Sequence, residues 1–348
     1  MMNKKVKKFF KKLLKEIKQF IVDEYKFLIS MVIFYIICTW PVNYYIIVGG
    51  GITDVGDRVE VVDGYDSKGS FNLCYVSELK GTTLTYVLSY IIPSWDRDSM
   101  SDYKYSESEN YEDLEFRGDL ELKTTNNSAI KAAFDLAGID ISEKFSKIYV
   151  VANFDEYESE LDIRDELVSI DGNKFKTMQE YSDYIQKYNA GDVVKVVVIR
   201  DGKEVELNCR IYEEKDRKIF GVMLMIDRIY ETDPKVNISF KASESGPSGG
   251  LITALEMYNG LVKEDITNGM NIAGTGTIDA AGNVDSIGGV RYKVIGAEAG
   301  DADVFLVPKG KNYEEAVKVK KEKNLDIKII GISTLDEAVK ELSKLSKQ

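Results

Sequence analysis

Glu244-Ser245-Gly246-Pro247-Ser248-Gly249-Gly250-Leu251 is the stretch on which the reading of this chain turns. Before it runs an alternating strand pattern, Val236-Asn237-Ile238-Ser239-Phe240. After it, Leu251, Ile252, Leu255, Met257, Tyr258 and Leu261 recur at helical spacing. The pattern places Ser248 where a strand-connected loop turns into a helix. Pro247 suits the first helical position, and the glycines let a substrate backbone approach closely. A helix start offers unpaired N–H groups and the positive end of the dipole. Both suit a serine that carries developing negative charge during acyl transfer.

Composition narrows the chemistry. The 348 residues include no histidine, so neither a Ser-His-Asp triad nor a Cys-His dyad can form. A nucleophilic Ser248 needs another base, and lysine is the usual replacement where its surroundings favour the neutral amine. Ile287-Gly288-Gly289-Val290-Arg291-Tyr292-Lys293 holds a candidate. Gly288-Gly289 reads as a turn and Val290 to Ala299 as a helix stopped by Gly300. Lys293 then falls near the first turn, where the dipole opposes a cation. On spacing alone, the glycine-rich run also reads as a flexible loop and Lys293 as a solvated lysine.

The segment from Asp233 to Leu342 resembles the proteolytic domain of Lon proteases. Gly246-Pro247-Ser248-Gly249-Gly250 matches that family's Gly-Pro-Ser-Ala-Gly nucleophile motif. Gly274-Thr275-Gly276-Thr277-Ile278 matches its Thr-Gly strand, and Gly282-Asn283-Val284-Asp285-Ser286-Ile287-Gly288-Gly289 its Gly-x-Val-x-x-Ile-Gly-Gly segment. The family's catalytic lysine follows the last of these glycines by four residues, at Lys293, and an apolar strand ends in Pro308. The resemblance implies a Ser248–Lys293 dyad supported by Thr275, with Gly246, Pro247 and Gly249 shaping the nucleophile turn. It departs from the family pattern at Gly249, where alanine is usual, and at Glu244 and Ser245 before the motif.

The net charge of −12 is unevenly spread. Met1 to Lys18 is crowded with lysines (Lys4, Lys5, Lys7, Lys8, Lys11, Lys12, Lys15), which alternate with apolar residues. Most of the rest is acidic, so nucleic acid is not expected as a partner. Phe27 to Gly51 has no charged residue and is long enough for a membrane span. With lysines before it and Asp54, Asp57 and Glu60 after it, the charge asymmetry predicts an uncleaved single-pass anchor. The N-terminus is then cytoplasmic and the protease extracytoplasmic. The lysine-rich head reads as an amphipathic helix on an anionic leaflet.

Between these ends, Val59–Val62, Phe71–Val76 and Leu84–Leu88 read as strands and Trp95 to Tyr111 as a mobile acidic loop. Asn127 or Ser128 is the expected cap of a helix stopped by Gly138. Lys147–Val151, then Asp165-Glu166-Leu167-Val168-Ser169-Ile170-Asp171-Gly172, a helix over Thr177 to Tyr188, and a hairpin through Asp201-Gly202 follow. That order resembles a PDZ domain, although its usual Gly-Leu-Gly-Phe carboxylate loop is not recognisable before Ile148. The cysteines Cys38, Cys74 and Cys209 show neither metal spacing nor a disulfide framework; free thiols are expected, with a Cys74–Cys209 bridge as the alternative.

The expected architecture is therefore α+β. It comprises a basic segment (1–26), a transmembrane helix (27–49), a β-rich membrane-proximal region (55–140), a PDZ-like domain (141–212) and a Lon-type serine protease domain (220–345). This order resembles bacterial membrane-anchored PDZ–Lon proteases. The implied activity is a serine endopeptidase acting on unfolded or exposed protein segments. No Gly-x4-Gly-Lys-Ser/Thr phosphate loop occurs, so ATP is not expected to drive it. No cofactor or metal is implied, and Lon-type domains suggest a ring-shaped homo-oligomer. A non-catalytic membrane-tethered PDZ adaptor and a self-processing protein are the competing readings.

Overall fold

The computed structural model describes residues 4–241, 244 and 246–345; the side chains of residues 4–7, including Lys4, Lys5 and Lys7 of the basic head, and Ser245 of the nucleophile motif lie outside this description. The chain divides into two compact units, one of residues 1–48 with 77–102, the other of 49–76 with 103–348. Strands β1 (Pro41–Asp54) and β3 (Ser70–Thr82) each run through both.

In the first unit, helix α1 (Lys4–Thr39) breaks its helical geometry at Glu24 and exposes large apolar residues such as Phe9, Leu14, Ile33 and Phe34. Here the expected transmembrane helix over 27–49 is overturned. Among the described residues no helix is long and apolar enough to cross a membrane. The uncharged run is divided between two kinds of structure. Its helical part, Phe27 to Thr39, rises only about 20 Å, short of the ~30 Å hydrocarbon core. Pro41 then opens β1, where Tyr44, Tyr45, Ile46, Ile47 and Val48 favour a pleated surface. The single-pass placement, cytoplasmic N-terminus and extracytoplasmic protease domain lose their basis with it.

Two further expectations give way in this unit. Leu84–Leu88 forms helix α2 (Thr83–Leu88) rather than a strand, because Thr82 and Thr85 make a reciprocal capping box. Trp95 onward is ordered as strand β4 (Asp96–Ser99), antiparallel to β1 with Ile46 opposite Arg97, and a 3₁₀ turn over Met100–Tyr103.

The second unit begins with the rest of β1, the short strand β2 (Val59–Val61) and the first half of β3. Helix α3 (Tyr111–Leu136) starts well before the expected cap: Asn110 accepts from the N–H groups of Glu112 and Asp113, and the Asp113 carboxylate answers to the Asn110 N–H. It stops at Gly138, whose φ of 72° suits the left-handed exit.

A five-stranded antiparallel sheet follows, built from β5 (Ser142–Asn153), β6 (Glu166–Ile170), β7 (Val193–Arg200) and β8 (Lys203–Arg210) with helix α4 (Met178–Ile185). Asp201 and Gly202, both at positive φ, make the β7–β8 turn. A small hairpin, β9 (Tyr212–Glu214) and β10 (Arg217–Ile219), leads to β11 (Val222–Glu231). This last strand pairs antiparallel with β5 and closes the order β11-β5-β6-β7-β8.

The remaining elements are β12 (Val236–Ile238), α5 (Gly250–Leu261), β13 (Asn271–Gly274), β14 (Thr277–Ile278), β15 (Val284–Asp285), α6 (Val290–Ala299), β16 (Val304–Pro308), α7 (Lys311–Lys323), β17 (Lys328–Ile332) and α8 (Leu335–Leu342). In this unit β17, β16, β13, β3 and β1 lie side by side. Strands β3, β13, β16 and β17 are parallel, with Ile272 opposite both Phe71 and Val304.

Alternation along these strands assigns their faces. Phe71, Ile272, Val304 and Leu306 join Leu251, Ile252, Leu255, Phe134 and Leu335 in one core, beneath α3, α5 and α8. Cys74, Ala273, Phe305 and Val307 join Val290, Val294, Ala297 and Ala316 in the other, beneath α6 and α7. All five residues of β16 are buried, as a strand covered on both faces must be.

Candidate active site

Ser248 lies in a 3₁₀ turn, Pro247–Gly249, that runs directly into α5. Gly246 precedes it at φ 96°, a conformation that a side chain would strain. Gly249 is buried, and a Cβ there would sit 2.8 Å from Leu73 Cδ1. The turn is fixed from the opposite side by the corner after β13. The Ser248 carbonyl accepts from the Gly276 N–H at 2.8 Å and from Thr275 Oγ1 at 3.0 Å, while the Leu251 N–H donates to Gly276 O at 3.1 Å. Thr275 therefore stands at the carboxyl end of a central parallel strand, where open α/β sheets place their sites.

Gly289, left-handed at φ 70°, starts α6, and the Lys293 N–H bonds back to Gly289 O at 3.2 Å. The turn, the helix and its Gly300 end fall where the sequence placed them. Lys293 is 4% exposed and Thr275 fully buried. The Lys293 Nζ donates to Ser248 Oγ at 2.8 Å and to Thr275 Oγ1 at 3.1 Å. Three side chains drawn from three separate motifs thus meet at hydrogen-bonding distance.

One neighbour was not foreseen. Cys74 of β3 lies in the core under α6, and burial pushes its thiol up to about 12, with the Lys293 charge pulling the other way. The thiol stays protonated in the neutral range. Cys38, Cys74 and Cys209 are all free, and the alternative Cys74–Cys209 bridge is absent.

The PDZ expectation gains a strand that the sequence hid. The neighbour of β5 comes after it in the chain, as β11, not before Ile148. Phe220-Gly221 leads into it, with Gly221 at φ 72°. Tyr181 and Ile185 of α4 share a core with Phe220, Val222 and Leu224. Strand β11 is an edge of its sheet.

Residues 237–344 match the family model of the Lon protease C-terminal proteolytic domain, and residues 136–211 that of the PDZ domain. A Lon protease of Campylobacter concisus is 34% identical over 98 residues, covering 28% of this chain and 12% of that protein. One from Xanthomonas oryzae is 28% identical over 115 residues, covering 33% and 13%. One from Campylobacter jejuni is 27% identical over 174 residues, covering 43% and 22%. The chain thus spans between 12% and 22% of the length of these curated relatives. Among solved structures, the PDZ domain of an SdrC-like protein from Listeria monocytogenes is 26% identical with a TM-score of 0.21, covering 25% of this chain and 93% of that one. The class these matches define is a serine-type peptidase domain joined to a second, smaller domain. Its particular kind is a Lon-type proteolytic domain preceded by a PDZ domain.

Proposed function

We propose that this chain is a serine endopeptidase in which Ser248 is the nucleophile, Lys293 its general base and Thr275 the residue that orients the lysine. The observation that carries this reading is the 2.8 Å hydrogen bond from Lys293 Nζ to Ser248 Oγ, in a chain without histidine. Burial and the helix N-terminus both favour the neutral amine. Lys293 takes the Ser248 proton as the serine oxygen bonds to the scissile carbonyl carbon. It then passes that proton to the leaving amine, leaving an acyl-enzyme, and draws a proton from the water that hydrolyses it. The Ser248 N–H, at the head of the helix, serves as an oxyanion donor, a contribution of about 2.7–4 kcal/mol.

Substrates in this reading are unfolded or exposed protein segments. The PDZ domain recruits them by strand addition to the β11 edge, beside α4. Within this chain cleavage is independent of ATP, since these residues carry no phosphate loop. The family resemblance adds a ring of identical chains, which sedimentation of the purified protein tests.

The deciding experiment incubates the full chain with an unfolded protein, with and without ATP and magnesium, alongside Ser248→Ala and Lys293→Arg. Wild type should cleave equally in both conditions. Each variant should lose activity by about 10³-fold or more, and the double variant should be no worse than either single. Substantial cleavage by Lys293→Arg would refute the base assignment, because arginine keeps its proton at neutral pH.

A further inference from the structure

Arg58 stands outside the stretch that matches the proteolytic domain, yet it holds the loop that leads to Ser248 at two points. Its carbonyl accepts from the Ser239 N–H at 2.8 Å and from Ser239 Oγ at 3.3 Å, where β12 ends against β2 with Ile238 opposite Val59. Its guanidinium grips Glu244, four residues before the serine: Nη2 donates to Oε1 at 3.0 Å, and Nε lies 3.2 and 3.1 Å from Oε1 and Oε2. The Lys241 N–H completes the carboxylate shell at 2.8 Å from Oε2.

The pair is shielded, with side chains 15% and 20% exposed. A forked guanidinium–carboxylate contact of this kind fixes direction as well as distance. Burial pushes the Glu244 carboxyl up, but Arg58 and the Lys241 N–H hold it below its usual range, so both partners are charged throughout the neutral range.

We infer that Arg58 is a positioning residue for the nucleophile, bracing Ser239 and Glu244 so that Ser248 is presented to Lys293. The loop spans the gap between strand β12 and the 3₁₀ turn. Its far end is already fixed, because Thr275 and Gly276 grip the Ser248 carbonyl. Arg58 fixes the near end. With both points held, the serine oxygen has one approach to the amine; with Glu244 released, the attack geometry is diluted. Glu244, a departure from the usual family residue, is the chain's own half of this device. The inference rests on the proposed Ser248–Lys293 chemistry.

The test measures two quantities on the full chain: the rate at which a serine-directed fluorophosphonate labels Ser248, and kcat and KM on an unfolded protein. Arg58→Ala and Glu244→Gln should each lower the labelling rate and kcat about ten-fold with KM unchanged. The double variant should be no worse than either single, and the exchange Arg58→Glu with Glu244→Arg should recover part of the loss. Arg58→Lys retains the charge without the fork and should recover little. Labelling at the wild-type rate in folded Glu244→Gln, or losses that multiply in the double variant, would overturn the brace. Should Arg58→Ala fail to fold, Glu244→Gln and Arg58→Lys still decide. Failure of the underlying reading looks different: Ser248→Ala would then label and cleave as wild type does.

Discussion

The Thr275 hydroxyl works in both directions, accepting from the Lys293 amine and donating to the Ser248 carbonyl. It thereby ties the Lys293 amine to the Ser248 backbone through one fully buried residue. Thr275→Val keeps the shape and removes both bonds, leaving the Ser248 carbonyl with the Gly276 N–H alone. Activity should fall about 10–100-fold, with a stability loss of about 1–3 kcal/mol from the stranded polar groups. Parallel denaturant titrations and kcat/KM measurements would separate the two effects. A variant with full activity would show that the hydroxyl serves packing alone.

Among the elements, strand β1 most changes how the sequence reads. Its glycines let other backbones come close: a Cβ on Gly50 would lie 2.0 Å from Tyr75 O in β3, and one on Gly296 of α6 would lie 3.0 Å from the Gly51 backbone. The helix that carries Lys293 therefore rests directly on the end of the uncharged run over residues 27–51. Gly50→Ala should separate β1 from β3, costing about 1–3 kcal/mol. A melting temperature equal to wild type would contradict this packing. Legibility followed the range of the signal. Gly289, Gly300 and Asp201-Gly202 set local backbone geometry, and each was readable where it stood. The nature of β1 depends on partners far along the chain, so an uncharged run could not by itself distinguish a strand from a span. The role of β11 was hidden in the same way, because its partner β5 lies far before it in the chain, Val222 pairing with Asn153, whereas a carboxylate loop is expected before Ile148. Thr82 and Thr85 did carry a local capping signal for α2, but the β-rich composition around them masked it.

In the second unit, Glu256 of α5 lies close to other carboxylates. Burial, then Asp54 and Asp265, raise its carboxyl to about 7 from an ordinary 4.5. The folded state thus holds this proton more tightly than the unfolded chain does. The resulting stabilisation is fully present below about pH 4.5 and is lost as the pH rises through about 7. Glu256→Gln should stabilise the unit by roughly 2 kcal/mol at pH 8 and by little at pH 4.5. Thermal melts at the two pH values check this; an equal effect at both would show that the carboxyl is not responsible.

The pairing of β13 with β3 also has a bearing on time. Asn72 and Asn271, joined side chain to side chain at 2.6 Å, are 199 positions apart. A ribosome adding about 5–20 residues per second needs roughly 10–40 s to cover that distance. Throughout the interval β3 waits without its central partner, and neither Ser248 nor Lys293 has a seat. The site can therefore assemble only after β13 and the helix that carries Lys293 have been made.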